Sequence, residues 1–183
     1  MRAFIGADFN RDIKDSIAGI QHIVRENSEK GRFKYVGNFH LTLKFLGEVQ
    51  QTKTSDIGRS LNNIALKHRK IHLNIDKIGY FDGKGSIHAI WLGFSGELDK
   101  LGALYSDIDE EMHRLGMKKE IKKYTPHITI AQDLILKIPF EKLKEKVDFK
   151  SFNIVEIKEI SLVKSEEAEG KRIYTPISTF GLR

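Results

Sequence analysis

Hydrophobic and polar residues recur along this chain with two periods, and the changes of period mark out its elements. Residues 2–9 alternate in the manner of a strand. Asn10 is then placed to cap a helix in which Ile13, Ile17, Ile20 and Val24 fall at helical spacing. Residues 26–31 are polar and break the pattern, and residues 33–37 lead into a strand over 39–45. Thr52 or Thr54 can cap a second helix with Ile57, Leu61 and Ile64 inward. Residues 71–78 and 86–94 read as a hairpin joined by Asp82-Gly83-Lys84-Gly85, with Trp91 on its core face. The clearest helix covers 97–115, where Leu98, Leu101, Leu104, Ile108, Met112 and Leu115 form one apolar stripe and Gly116 is a stop. A strand over 125–131 follows, then a short helical turn opened by Pro139 and carrying Phe140 and Leu143. Strands over 149–163 and 172–177 flank a polar loop at 165–170. Strands and helices in mixed order, with no Gly/Pro-rich linker, predict an α+β fold of two lobes in one unit over residues 1–183.

Two of the predicted strands carry the same four-residue pattern, His40-Leu41-Thr42-Leu43 and His127-Ile128-Thr129-Ile130. Successive side chains of a strand point to opposite faces, so each His and Thr share one face while the apolar pair takes the other. The offset is the same at both polar positions (127 − 40 = 87 and 129 − 42 = 87), as a duplicated structural unit requires. With seven His and seven Thr among 183 residues, chance placement gives roughly a quarter of one His-x-Thr, and two copies with matching apolar positions exceed that. The fold is therefore expected to bring His40 and His127 across one groove, with Thr42 and Thr129 beside them and Leu41, Leu43, Ile128 and Ile130 buried behind.

Composition narrows the chemistry. Hydrophobic residues make up 40% and charged residues 31% of the chain, which fits a soluble globular protein. The net charge of +6 and pI near 9.4 favour an anionic partner such as RNA. The absence of cysteine removes disulfides, thiolate zinc sites and cysteine nucleophiles. The N-terminal residues turn acidic at Asp8, too early for a signal peptide, and no apolar run reaches the length of a membrane span, so a cytoplasmic location is expected.

Histidine both accepts and donates protons near neutral pH, so two of them across a cleft can serve as base and acid in one turnover. Opening a 2′,3′-cyclic phosphate needs such a pair, one taking a proton from attacking water and one protonating the departing ribose oxygen. The Thr hydroxyls project to the same side and can hydrogen-bond the non-bridging oxygens. A zinc ion held by the two imidazoles is the rival, but a catalytic zinc ordinarily takes three protein ligands, and Glu48 and Asp133 lie beyond the paired faces. A Ser-His-Asp hydrolase has no Gly-x-Ser-x-Gly elbow to stand on.

The doubled motif and its flanks resemble the two-histidine phosphoesterase superfamily and, within it, the LigT-like RNA 2′,3′-cyclic phosphodiesterases. The matching stretches are Arg2-Ala3-Phe4-Ile5-Gly6-Ala7-Asp8, His40 through Val49, Ile90-Trp91-Leu92-Gly93, Pro126 through Ala131, and Gly170 with Tyr174-Thr175-Pro176. The resemblance implies a bilobal, pseudo-two-fold fold in which two antiparallel-rich sheets face a central groove with helices outside. It implies hydrolysis of 2′,3′-cyclic phosphate ends of RNA or nucleotides to 2′-phosphates without metal or cofactor; no obligate protein partner is implied, and a monomer is expected. By that likeness His40 is the proton donor to the 3′-oxygen and His127 the acceptor from water, with Thr42 and Thr129 on the phosphate; the reversed roles stay open. Relatives often carry Arg where this chain has Gln132, and Lys44, placed by alternation on the face of His40 and Thr42, is the substitute source of charge. Other classes remain in view: an RNA-end binding module with little chemistry, and a 2′-5′ phosphodiesterase or RNA ligase of the same superfamily.

Further candidates flank the motifs. Lys118, Lys119, Lys122 and Lys123 form a basic run before the second one, a rim for RNA or a solvated loop. Tyr35, Tyr124 and Tyr174 lie near strand ends where a base could stack, whereas Phe9 reads as core. His22, His68, His72, His88 and His113 share no pattern and read as surface or structural.

Overall fold

The alternations resolve into nine strands and four α-helices in the computed structural model, which describes residues 1–183. In order they are β1 (Arg2–Asp8), α1 (Arg11–Glu26), β2 (Ser28–Phe33), β3 (His40–Glu48), α2 (Thr54–Ala65), β4 (Ile71–Asp82), β5 (Ile87–Gly96), α3 (Leu98–Arg114), β6 (His127–Leu136), α4 (Phe140–Glu145), β7 (Val155–Ile157), β8 (Glu159–Ala168) and β9 (Lys171–Gly181). One antiparallel sheet has the order β3-β1-β8-β9 and the other β2-β6-β5-β4-β7, giving an α+β fold of two lobes. The helices form where predicted, and the Asn10 side chain accepts from the Ile13 N–H at 3.0 Å and caps α1, but neither Thr52 nor Thr54 caps α2, whose Thr54 hydroxyl instead donates to the Gln51 carbonyl. The α1 stripe and the middle of the α3 stripe, Leu101, Leu104, Ile108 and Met112, are buried and join both sheets in one core of 37 residues, while Leu98 at the start of α3 is exposed. Fully burying each such Ile or Leu contributes about 1.5–3 kcal/mol.

Three segments depart from the periodicity. Residues 28–33 are polar yet form β2, because an edge strand paired on one side to β6 exposes most of its side chains and shows no apolar alternation. The continuous strand expected over 149–163 is two: β7 pairs with β4 in one sheet, and after Lys158 the chain crosses to pair β8 with β1 in the other. The expected loop at 165–170 is strand almost throughout. Ala168 pairs with Lys171, and Glu169 and Gly170, both at positive φ (50° and 72°), make a two-residue turn.

The two motif strands occupy equivalent places. In the first half β1 and α1 lead, past the edge strand β2, to β3, with β1 antiparallel to β3 and Gly6 opposite Thr42 and Asp8 opposite His40. In the second β5, α3 and β6 repeat this, with Trp91 opposite Thr129 and Gly93 opposite His127. Each motif strand then skips one residue against its partner: the register passes from Thr42 to Lys44 and from Thr129 to Ala131. Leu43 and Ile130 are thus equivalent β-bulges, and each strand exchanges its faces beyond that point.

The halves are laced reciprocally. Gln21 of α1 donates from Nε2 to the Ile130 carbonyl at the bulge of β6 and to the Lys34 carbonyl ahead of β3, both at 2.8 Å. On the other side Asp109 of α3 accepts from the Lys44 ammonium just past the bulge of β3 and from the Glu120 N–H ahead of β6. Each helix thereby ties its own half's connecting segment to the opposite motif strand.

Candidate active site

Bulge and alternation together put His40, Thr42, His127 and Thr129 on the walls of one groove of about 690 Å³. Leu41, Leu43, Ile128 and Ile130 are buried behind them. The imidazoles are oriented identically. His40 Nδ1–H donates to the Asn38 carbonyl and His127 Nδ1–H to the Thr125 carbonyl, both at 2.7 Å and both two residues upstream. This bond fixes the tautomer, leaving Nε2 as the atom that gains or loses a proton in the groove.

The surroundings differ. His40 stacks on Phe4 at 4.6 Å between centroids and meets the edge of Tyr174 at 5.0 Å. Its Nε2 accepts from the Thr42 hydroxyl at 2.8 Å. Burial lowers the His40 pKa, outweighing the Asn38 hydrogen bond and the Asp8 charge that favour the cation. His127 has the edge of Phe81 at 5.3 Å and Trp91 at 6.3 Å, and its Nε2 has no partner within the chain.

Trp91 lies on this groove face, not on the core face expected of it; its neighbours Ile90 and Leu92 are the buried ones. Gly79 and Gly93 make room for the indole. A Cβ at Gly79 would come within 2.3 Å of the ring, so a larger residue there is incompatible with this packing.

Lys44 meets expectation only in part: it is among the residues lining the groove, but its ammonium is engaged elsewhere. Beyond the bulge it turns to the buried face, where its ammonium pairs with Asp109 and donates to the Lys118 carbonyl at 2.9 Å. Burial alone would raise the Asp109 carboxyl, but the Lys44 and Glu120 hydrogen bonds and the Lys44 charge hold it below its ordinary value. Lys44 therefore braces the segment before the second motif. Phe45, exposed on the other face, takes the groove position, equivalent to Gln132 in the second half.

Tyr124, Tyr174 and Gln132 line the groove as anticipated, and Tyr35 does not; it is 75% exposed outside the lining. Tyr124 stacks face to face on Tyr105 at 4.0 Å, and its hydroxyl donates to the Thr42 carbonyl at 3.1 Å. Burial raises the pKa of Tyr124 and of Tyr174. Of the basic run only Lys122 and Lys123 reach the lining. Sequence reasoning missed Lys34, whose ammonium donates to Gln132 Oε1 at 2.6 Å, and it set aside His88, which also lines the groove. Neither carries a periodic signal. No three His, Asp or Glu side chains converge as a ligand set for a metal ion.

This geometry has counterparts. Residues 13–169 match the family model of the 2′-5′ RNA ligase superfamily. The chain belongs to that superfamily. A Methanocaldococcus jannaschii protein named RNA 2′,3′-cyclic phosphodiesterase is 35% identical over 183 residues, covering 97% of this chain and 98% of that one. A protein of the same name from Thermotoga maritima is 33% identical over 149 residues, 81% of this chain and 79% of its own. Escherichia coli LigT, solved with 3′-AMP, superimposes with a TM-score of 0.81 at 26% identity over 99% of this superfamily member and 97% of LigT. A Thermus thermophilus protein shares the fold, with a TM-score of 0.81 at 21% identity, covering 100% of this chain and 98% of its own.

Proposed function

We propose that this protein is an RNA 2′,3′-cyclic phosphodiesterase that opens the ring to a 2′-phosphate by metal-independent acid-base catalysis between His40 and His127. The observation that carries it is the matched pair of imidazoles, each anchored through Nδ1 at 2.7 Å with Nε2 toward one groove. The names of its relatives support the reaction class. In the proposed step His127 Nε2 takes a proton from water as its oxygen bonds to phosphorus; the bond from phosphorus to the 3′-oxygen breaks, and His40 Nε2–H protonates that oxygen. Thr42 and Thr129 donate to the non-bridging oxygens, where positioned donors are worth roughly 10²- to 10³-fold in rate. The lowered His40 pKa makes its protonated form the stronger acid, while the phosphate's charge restores the protonated population on binding.

The same lowered pKa keeps His40 neutral in the free protein, which favours the reversed roles. A substrate with a 4-nitrophenolate leaving group, which needs no protonation, separates the two. The variant lacking the acid regains rate on it, and the variant lacking the base does not.

The primary test is product analysis on RNA ending in a 2′,3′-cyclic phosphate, in excess chelator. A 2′-phosphate end is expected. A 3′-phosphate end overturns the leaving-group assignment, and binding without turnover makes the protein an RNA-end binding module. All four motif side chains come from one chain, so a monomer suffices, and equilibrium sedimentation checks it. Joining of 2′-5′ ends, the reverse transesterification, is assayed with a 5′-hydroxyl acceptor. No helix here is long and apolar enough to cross a membrane.

A further inference from the structure

One flank of the groove carries a lysine with no carboxylate partner, Lys34, and behind it, outside the lining, stand Arg32 and Arg172, each paired with a carboxylate. Lys34, half-buried ahead of β3, donates its ammonium to the neutral Gln132 Oε1 at 2.6 Å rather than to a carboxylate. Arg32 sits beside it, in register with Gln132 and held to Asp133 through its Nε at 2.8 Å. Arg172 closes the cluster from the β8–β9 hairpin: its carbonyl accepts from Asn38 Nδ2 at 2.7 Å, and its guanidinium is 3.3 Å from Glu167. Burial and the charges of Arg32 and Arg172 depress the Lys34 pKa, and Asp133 opposes them only in part. Asp133 is held at φ 52°, a conformation costly for a residue with a Cβ.

The charge of Lys34 is felt at His40, and its hydrogen-bond partner Gln132 stands further along β6 from the reacting phosphate. Gln132 is three residues beyond Thr129 along β6, on the order of 7–10 Å at the ordinary strand rise. That is about one nucleotide step from the Thr hydroxyls, along the path a strand backbone would take through a basic groove.

Building on the proposed reaction, we infer that Lys34, with Arg32 and Arg172 around it, is a second anion subsite that takes the phosphate on the 5′-oxygen of the terminal nucleotide. The phosphate that fits is the internucleotide diester of an RNA strand, so the groove selects RNA ends over free cyclic nucleotides. A terminal 5′-monophosphate shares the chemistry and is separated by the test.

Three substrates decide this: A>p, pA>p and ApA>p, where >p is the cyclic phosphate. The wild type is expected to favour ApA>p over A>p in kcat/KM by about tenfold, the worth of one hydrogen bond to a charged group. Lys34→Gln should lose that preference, and Lys34→Arg should keep most of it, with thermal melting reporting that both variants fold. A preference for pA>p alone assigns the subsite to a monoester and overturns the RNA-strand assignment. Equal loss on A>p and ApA>p places Lys34 on the reacting phosphate, and no preference in the wild type removes the subsite; either overturns the inference. Failure to turn over all three strikes the proposed reaction instead, and binding then decides. The wild type should hold ApA with a 2′-phosphate about tenfold tighter than 2′-AMP, and equal affinities overturn the subsite.

Discussion

His40 and His127 hang from the same scaffold, each on a motif strand with a bulge one residue past its Thr and each tethered through Nδ1 to the carbonyl two residues back. What surrounds them is not the same. His40 is enclosed by Phe4 and Tyr174 and bonded to Thr42, whereas His127 keeps Nε2 free beside Phe81 and Trp91. The repeated motif aims two imidazoles at one groove, and the packing around His40 lowers its pKa. In the proposed reaction this lowered pKa makes protonated His40 the stronger acid.

Removing either histidine breaks the comparison most severely. His40→Ala and His127→Ala should each cost roughly 10²- to 10⁴-fold in kcat, with circular dichroism unchanged. A fully active single variant would end the paired mechanism. Next come the hydroxyls: Thr42→Ala and Thr129→Ala should each lose roughly 10²-fold in kcat. Only Thr42→Ala should also move the His40 titration, because only Thr42 holds a histidine nitrogen.

The two lacing residues predict unequal losses of stability. Asp109→Ala leaves the Lys44 ammonium buried and unpaired, for about 3–5 kcal/mol in urea unfolding. Gln21→Ala removes the side-chain donor from the Lys34 carbonyl and one of the two donors from the Ile130 carbonyl, which keeps the Lys34 N–H, for about 1–3 kcal/mol. A reversed order would contradict the roles given to them.

Smallest is the pH effect. Because the folded-state pKa of His40 lies below the ordinary value near 6.5, the ring is neutral in both states above that pH and contributes no difference there. As pH falls below it, the unfolded chain binds a proton that the folded one resists, so stability declines. Proton NMR should show His40 titrating below 6.5, and Tyr174→Ala should raise it. An unchanged titration in that variant would remove burial by Tyr174 as a cause.

Period-two alternation made the four motif side chains and their apolar backing legible, since each lies before its strand's bulge. It misled immediately afterwards. No Gly or Pro announces the bulges at Leu43 and Ile130, so unbroken alternation gives the Lys44 ammonium to the groove, whereas it pairs with Asp109. Trp91 was readable in retrospect, because Ile90 and Leu92 on either side of it are core; its size drew it inward, and the floor made by Gly79 and Gly93 is a long-range feature. Lys34 has no local signal, being placed by the pairing of its N–H with the Ile130 carbonyl nearly a hundred residues away. The edge strand β2 and the sheet-switching pair β7 and β8 were hidden for the same reason: their pairing partners, not their own patterns, define them.

In the proposed reaction both histidines act on one phosphate. A crystal structure with the product 2′-AMP tests it most directly. The phosphate is expected within hydrogen-bond distance of both Nε2 atoms, with the Thr42 hydroxyl turned from His40 to a phosphate oxygen and Thr129 opposite it. A phosphate that reaches only one histidine, or that lies outside the pair, would contradict the account.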